Sequence, residues 1–385
     1  MNHMDFYLYD AVINDNVDVL KELEGKLSVG NQRTPTDSTV LHLACQYGSI
    51  QCVEEILNVY DSLLLKLDSR GETGLHLAAR EGHYDVVEAL IIKAKSSLLQ
   101  PDHFQNTSST VVQILIRLAN VEFETALHAA VRYTHNNVVQ LLITHDPKHS
   151  HPHNMYSETP LYLASIRGDT QIITTILPSA DKSVAYLVDK EYKRTALHVA
   201  TDRGNVRVMK ELVKYIPDCL EIVDVGGRNI LHIAMKQGQK EMIRFILSQG
   251  SRAINKLLIQ RDKEGNTPLH FIAKFGCYVR ELMDLREVDW EVLNHKNLTP
   301  LDLLDTVLDT NYLLTQVRIR THLITHAKAR THKELWHTLK DPYDEKPDIE
   351  KGTADAIKKE KMNQELVEFL LQNSSLPLKN SNRMI

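Results

Sequence analysis

Histidine supplies most of the side chains in this sequence that could do chemistry. Residues 145–153 read HDPKHSHPH, which sets His145, His149, His151 and His153 within nine residues. Imidazoles at that density can hold a transition metal. His322 and His326 stand four apart, a separation that puts both on one helix face and within reach of a single ion. Neither group brings the remaining donors. No cysteine lies close, Asp146 is the one carboxylate beside the first group, and Glu334 is the one within ten residues after the second. HKELWH at 332–337 lacks the spacing of a zinc-protease helix, and neither GxxxxGK[ST] nor GxSxG occurs. The expectation is no catalytic residue, no cofactor and no resident metal. Weak metal binding by the histidine-rich loops stays open as an alternative.

A third set of histidines recurs with a period, and it leads back to the elements that position everything else. TVLHLACQYG begins at Thr39, and TGLHLAAREG, TALHAAVRYT, TPLYLASIRG, TALHVATDRG, NILHIAMKQG and TPLHFIAKFG follow. A degenerate TPLDLLDTVL begins at Thr299. The fourth place holds His42, His76, His128, Tyr162, His198, His232, His270 and finally Asp302, at spacings of 34, 52, 34, 36, 34, 38 and 32 residues. All but one lie near the period of about 33 residues that marks ankyrin repeats. One ion could not collect histidines from different repeats, so each imidazole is expected to hydrogen-bond locally and brace its turn.

Each place in the motif has a physical role. Thr73, Thr125, Thr159, Thr195 and Thr267 stand where a helix N-cap is needed, and Pro160 and Pro268 follow at the first helical position. Small residues such as Ala78 and Ala79 let two helices approach. Gly48, Gly82, Gly168, Gly204, Gly238 and Gly276 sit where the first helix must end in a left-handed residue. Thr134 stands in that place in the copy beginning at Thr125, so a distorted turn is expected there. Pairs such as Val86–Val87 with Leu90–Ile91 give the spacing of an inward-facing second helix. Turn-rich fingers such as LDSRGE (67–72) and RDKEGN (261–266) separate the copies. A helix pair cannot bury its own apolar face, so neighbours must stack.

The fold expected is therefore an all-α ankyrin-repeat solenoid of helix-turn-helix units with β-hairpin or finger loops. Residues 1–35 read as an N-terminal capping repeat and 36–325 as about seven well-formed repeats with a degenerate last one. Residues 326–385 form a charged C-terminal tail, partly helical or disordered. The 52-residue spacing marks an insertion within 96–122, whose VVQILIRLANVEF could add a strand or a helical turn. HDPKHSHPH falls between two copies and reads as the tip of one finger.

Bulk properties agree with a non-catalytic chain in the cytosol. A net charge of −5 gives no electrostatic reason to expect nucleic acid. Cys45, Cys52, Cys219 and Cys277 form no CxxC and read as reduced, buried thiols. The first residues lack a secretory signal, and no apolar run reaches the roughly 18 residues of a membrane helix.

The wording of the copies resembles a plant ankyrin family related to accelerated-cell-death proteins. ETALHAAVR (124–132), DPKHSHPHNMYSETPLYLASIRGD (146–169), GRNILHIAMKQGQ (227–239) and DKEGNTPLH (262–270) carry the likeness, which covers about residues 1–305. The resemblance implies defence, cell-death or stress signalling from the cytosolic face of a membrane, and a membrane region with a Pro-Gly-Gly signature. Neither that signature nor a membrane-length apolar segment follows residue 310, which suggests a truncated or spliced form. Membrane association is then expected only indirectly, or through the basic segment 318–340, which carries six lysines and arginines against Glu334.

The functional expectation is a protein-binding scaffold. Aligning the copies places one basic residue just before the helix-ending position in six successive repeats: Arg80, Arg132, Arg167, Arg203, Lys236 and Lys274. Tyr47, Tyr133 and Phe275 interleave with them. In ankyrin solenoids this end of the first helix lines the concave groove. The column would suit an acidic or helical protein segment, although cations near a helix C-terminus also complement its dipole.

Overall fold

A computed structural model of the chain describes residues 3–24, 28–97, 110–147, 152–179, 182–285, 288–306, 315 and 317–323. Two cap helices, Phe6–Ile13 and Val17–Glu24, precede the repeats. The first helices of the repeats are Val40–Tyr47, Gly74–Glu81, Ala126–Arg132, Pro160–Arg167, Ala196–Asp202, Ile230–Lys236 and Pro268–Phe275. We number these repeats 1 to 7. Pro300–Thr306 is the first helix of the degenerate eighth. The second helices of repeats 1 to 7 are Ile50–Val59, Tyr84–Ser96, Asn136–His145, Thr170–Ile176, Val206–Tyr215, Lys240–Leu247 and Arg280–Met283. First helices stack on first helices and second on second, in chain order.

One apolar core runs the length of the stack, from Met4 to Leu323. The leucine at the third place of the motif, as in Leu41, Leu75 and Leu161, is fully buried in it. Each such burial contributes roughly 1.5–3 kcal/mol. All four cysteines are buried and unpaired. The fingers are tight turns rather than β-hairpins. Among the described residues the extended pairings are two isolated bridges, His3 with Arg33 and Ala119 with Thr125.

Several of the helix-ending glycines are needed twice over, though not Gly238, where a Cβ would meet nothing within 4 Å. Gly48 adopts φ 76°, and a Cβ there would meet Nδ1 of His83, from the next repeat, at 2.7 Å. Gly204, at φ 73°, would likewise place a Cβ 2.6 Å from Oε1 of Gln239. Thr134 takes the same left-handed backbone, φ 61°. The distortion expected at Thr134 does not occur. His135 N–H donates to the Ala130 carbonyl at 2.9 Å, as His83 N–H does to Ala78 at 3.0 Å. The turn keeps its shape, and a β-branched residue carries the strain.

The insertion resolves to a helix, Val111–Arg117, which the sequence left open against a strand. Thr110 and Gln113 close a capping box at its start, and Val112, Leu115 and Ile116 join the common core. Residues 98–109 lie outside the described part, as do 324–385, which include His326 and most of the basic segment and tail.

Candidate partner-binding groove

The imidazoles do more than brace their own turns. In repeats 1, 2, 3 and 7, Nδ1 accepts the backbone N–H of the capping threonine, as from Thr39 to His42 at 3.1 Å. On the far side of each ring, Nε2 meets the carbonyl just before the next repeat's cap. His42 reaches Glu72 at 2.9 Å, His76 reaches Glu124 at 3.2 Å and His128 reaches Glu158 at 3.3 Å. His232 reaches Asn266 and His270 reaches Leu298, each at 3.1 Å. A carbonyl can only accept, so Nε2 carries the proton and Nδ1 is the acceptor. Every such histidine is therefore a staple between two repeats. His198 has the same Nδ1 arrangement with Thr195, but its Nε2 finds no partner among the described residues. Burial holds His42, His76 and His270 below the usual imidazole range, and pushes His128, His198 and His232 down to about 4. These rings are neutral, with no lone pair left over for a metal.

Tyr162 and Asp302 solve the same task differently. The Tyr162 hydroxyl donates to Asp189 of the following finger at 2.8 Å, and burial with that carboxylate raises the phenol. Among the described residues Asp302 reaches back to its own cap, accepting from Thr299 N–H at 2.8 Å.

A second periodic device holds the fingers, and sequence reasoning missed it. An Asp or Asn stands five residues before the cap in most repeats: Asp68, Asn120, Asn154, Asp224, Asp262 and Asn294. Its Oδ1 accepts the N–H groups two and four residues on, as Asp68 does from Arg70 and Glu72, both at 2.9 Å. Asn120, Asn154, Asp224, Asp262 and Asn294 repeat the clamp. Asp189 stands six before its cap and catches Tyr192 N–H instead. The fixed backbones then link to one another. Val121 N–H donates to Arg70, Met155 to Glu122, Lys190 to Tyr156, Val225 to Tyr192, Lys263 to Gly226 and His295 to Glu264, all within 2.7–3.0 Å. The signal was legible as Asx-turn chemistry at a constant offset from the cap.

On this frame the fingers expose large apolar side chains in succession. Val121 and Phe123 are 66% and 63% exposed, and Met155, Tyr156, Tyr192 and Val225 follow on the next tips. Between fingers and first helices of repeats 2 to 4 lies a groove of about 760 Å3, walled by Arg70, Glu72, Glu124, Tyr133, Tyr156 and Glu158 among others.

The basic column does not form as one set. Arg80 is ion-paired with Glu72, and Arg132 with Glu124, each joining the helix to the finger of its own repeat. Burial opposes ionisation of Glu72, but the Arg80 hydrogen bond and charge outweigh it and hold the carboxyl below its usual range. Arg167, Arg203, Lys236 and Lys274 are exposed instead. Tyr47 and Tyr133 are about half exposed, and the Tyr47 hydroxyl lies 3.2 Å from that of Tyr9 in the cap. Phe275 is half-buried, with the Lys274 ammonium 5.7 Å from its ring centre.

The histidine-rich stretch is divided. His145 is half-buried at the end of the repeat 3 second helix, held below its usual range by burial and by Lys95. Asp146 is buried in a two-pronged ion pair with Arg117, Nε to Oδ2 at 2.6 Å and Nη2 to Oδ1 at 3.0 Å. The carboxylate beside the histidines is thus committed to the insertion helix. His153 is exposed, and His149 and His151 lie outside the described residues. His322 uses Nε2 on the Met283 carbonyl at 2.9 Å.

Residues 8–102, 103–186 and 181–256 match, in three copies, the family model described as ankyrin repeats. The protein ACCELERATED CELL DEATH 6 of Arabidopsis thaliana is 24% identical over 295 residues, covering 69% of this chain and 42% of that protein. The human transient receptor potential cation channel subfamily A member 1 is 23% identical over 266 residues, covering 69% of this chain and 21% of the channel. The chain spans under half the length of either relative. A solved ankyrin repeat domain from Acinetobacter baumannii AYE aligns with TM-score 0.44 at 22% identity, over 55% of this chain and 98% of that one.

Proposed function

Because the chain belongs to the ankyrin-repeat family, we propose that it is a non-catalytic scaffold that holds a protein partner along its groove and fingertips. The observation that carries this reading is the row of exposed apolar tips, Val121, Phe123, Met155, Tyr156, Tyr192 and Val225, on backbones clamped and linked to one another. A succession of exposed large apolar side chains on neighbouring fingers is the kind of surface that serves interaction. Its rigidity means that little ordering entropy opposes binding.

The cellular setting we propose is plant defence, cell-death or stress signalling, in the cytoplasm or at the cytosolic face of a membrane. The ETPLYLA unit at 158–164 and the likeness to ACCELERATED CELL DEATH 6 support it. Among the described residues no helix is long and apolar enough to cross a membrane. Quantitative affinity purification from plant tissue, with the wild-type chain and with Phe123→Ser/Tyr156→Ser, tests the scaffold. A defined set of proteins should be lost with the double variant while its fold is kept. The same set retained on both baits would overturn the reading.

A further inference from the structure

In repeats 2 and 3 the residue before the cap and the residue eight further on close an ion pair between finger and helix. Arg80 donates through Nη2 to Oε1 of Glu72, and Arg132 through Nη2 to Oε1 of Glu124. An amide from the following finger completes each carboxylate. Asn120 Nδ2 reaches Oε1 of Glu72 at 3.3 Å, and Asn154 Nδ2 reaches Oε1 of Glu124 at 3.1 Å.

Repeat 4 keeps the carboxylate and loses both partners. Glu158 stands before the cap, but Ile166 holds the place of the arginine, and the clamp residue of the next finger is Asp189 instead of an asparagine. Asp189 is spent on the Tyr162 hydroxyl and Tyr192 N–H. Oε2 of Glu158 accepts from Asn154 of its own finger at 3.0 Å, while Oε1 accepts from no group among the described residues. Glu158 and Asp189 both raise the Tyr162 phenol, which places the two carboxylates in one neighbourhood. The cation that acts on the same phenol, Arg194, faces Asp202 at 3.7 Å and Asp224 at 3.9 Å. Arg167, beside Ile166, makes no ion pair among the described residues.

Glu158 is partly exposed and walls the groove of about 760 Å3 described above. The pairs Glu72–Arg80 and Glu124–Arg132 cancel within that wall, which leaves Glu122 and Glu158 against Arg70. Tyr133 and Tyr156, each about half exposed, add aromatic rings to the same wall. We propose that Glu158 is completed in trans, by an arginine of a bound protein segment that takes the place Arg80 and Arg132 fill in their own repeats. Arginine suits the place better than lysine, because its planar fork matches a carboxylate at two points and stacks on aromatic rings. The excess negative charge of the wall opposes an acidic segment or a nucleic acid. This rests on the scaffold reading and specifies the chemistry of its partner.

Selection of random peptides displayed on phage, with the full chain as bait, tests it. Binders should be enriched in arginine over lysine. By fluorescence anisotropy a selected peptide should lose at least about tenfold in affinity when its arginine becomes lysine, and again for the Glu158→Gln chain. Ile166→Arg supplies the missing cation from within and should weaken binding as much, whereas Ile166→Met should stay within about twofold of the unaltered chain. Circular dichroism checks each fold, and Glu158→Gln decides alone if Ile166→Arg does not fold. A library without binders, enrichment of acidic peptides, equal affinity for the lysine peptide, or affinity unchanged by Glu158→Gln would each overturn the proposal. If the selection fails while Phe123→Ser/Tyr156→Ser still strips partners from extracts, the scaffold stands and this assignment of its ligand falls.

Discussion

The Nε2 of His76 donates to the main-chain carbonyl of Glu124, 48 residues further along the chain, at 3.2 Å. The bond spans the whole insertion, yet it has the form found between repeats 1 and 2, where His42 holds the carbonyl of Glu72. A longer connection leaves the contact between stacked neighbours unchanged.

Removing one staple should be expensive. His76→Ala deletes a buried ring, strands the Thr73 N–H and takes from the Glu124 carbonyl one of its two donors, the other being Asn120 N–H. A loss of about 2–4 kcal/mol is expected in urea unfolding, from the cavity and the lost hydrogen bonds together. A change under about 0.5 kcal/mol would mean that the ring is incidental to stacking.

Acid should weaken the solenoid through the same rings. His128, His198 and His232 have folded pKa values of about 4, below the ordinary imidazole value of 6.5. Between those values the unfolded chain binds more protons than the folded one, so stability falls as pH falls through that window. Each ring contributes a slope of up to about 1.4 kcal/mol per pH unit. Urea midpoints at pH 7, 6 and 5 should decrease steadily, and His232→Gln should flatten the trend. A midpoint independent of pH over this range would contradict the burial of the rings.

Thr134→Gly should stabilise the protein. A β-branched residue at φ 61° carries left-handed strain of about 1–2 kcal/mol that glycine lacks, offset in part by glycine's greater freedom when unfolded. Gly48→Ala should do the reverse, because the new Cβ adds contact with His83 to the unfavourable backbone. Melting temperatures that move together for both variants would show that the turn is not strained.

Arg117→Ala should loosen the insertion helix from the histidine-rich finger. The Asp146 side chain is 2% exposed and would lose its paired cation, whereas Arg117 itself is 35% exposed. Discounting for that exposure gives an expected cost of roughly 1–3 kcal/mol by chemical denaturation. Arg117→Ala/Asp146→Leu should recover part of it; no recovery would locate the loss elsewhere.

The thiols should be silent in the folded protein. Burial pushes Cys52 and Cys219 up to about 12 and raises Cys45 and Cys277 as well. A thiol-specific reagent at neutral pH should label all four only after denaturant is added, and rapid labelling of any native thiol would contradict the packing.

The repeats were legible because the TxLH motif assembles its features within ten residues: a cap, a buried leucine, an imidazole and a terminating glycine. The far ends of the interactions were less visible. That His42 meets Glu72 depends on how two repeats stack, and spacing within one copy does not show it. The Asx clamps could have been found from Asp68, Asn120 and Asn154, each five residues before its cap. The basic column failed as a single set because Arg80 and Lys236 occupy one row while Arg167 and Arg203 occupy the next. Cations at the same place of the motif also differ in what faces them: Glu72 faces Arg80, and among the described residues no carboxylate is paired with Lys236.

The staples all point the same way, each imidazole gripping the repeat that follows it. Under tension from the C-terminal end, the grip of His270 is loaded while its own repeat is still held by His232. Force would then release the repeats in sequence rather than together. A 34-residue unit would give up about 120 Å of extended chain and the 52-residue unit about 180 Å. The insertion would appear in a pulling trace as one long step among short ones, and the molecule would behave as a graded spring whose longest extension is stored toward its N-terminal end.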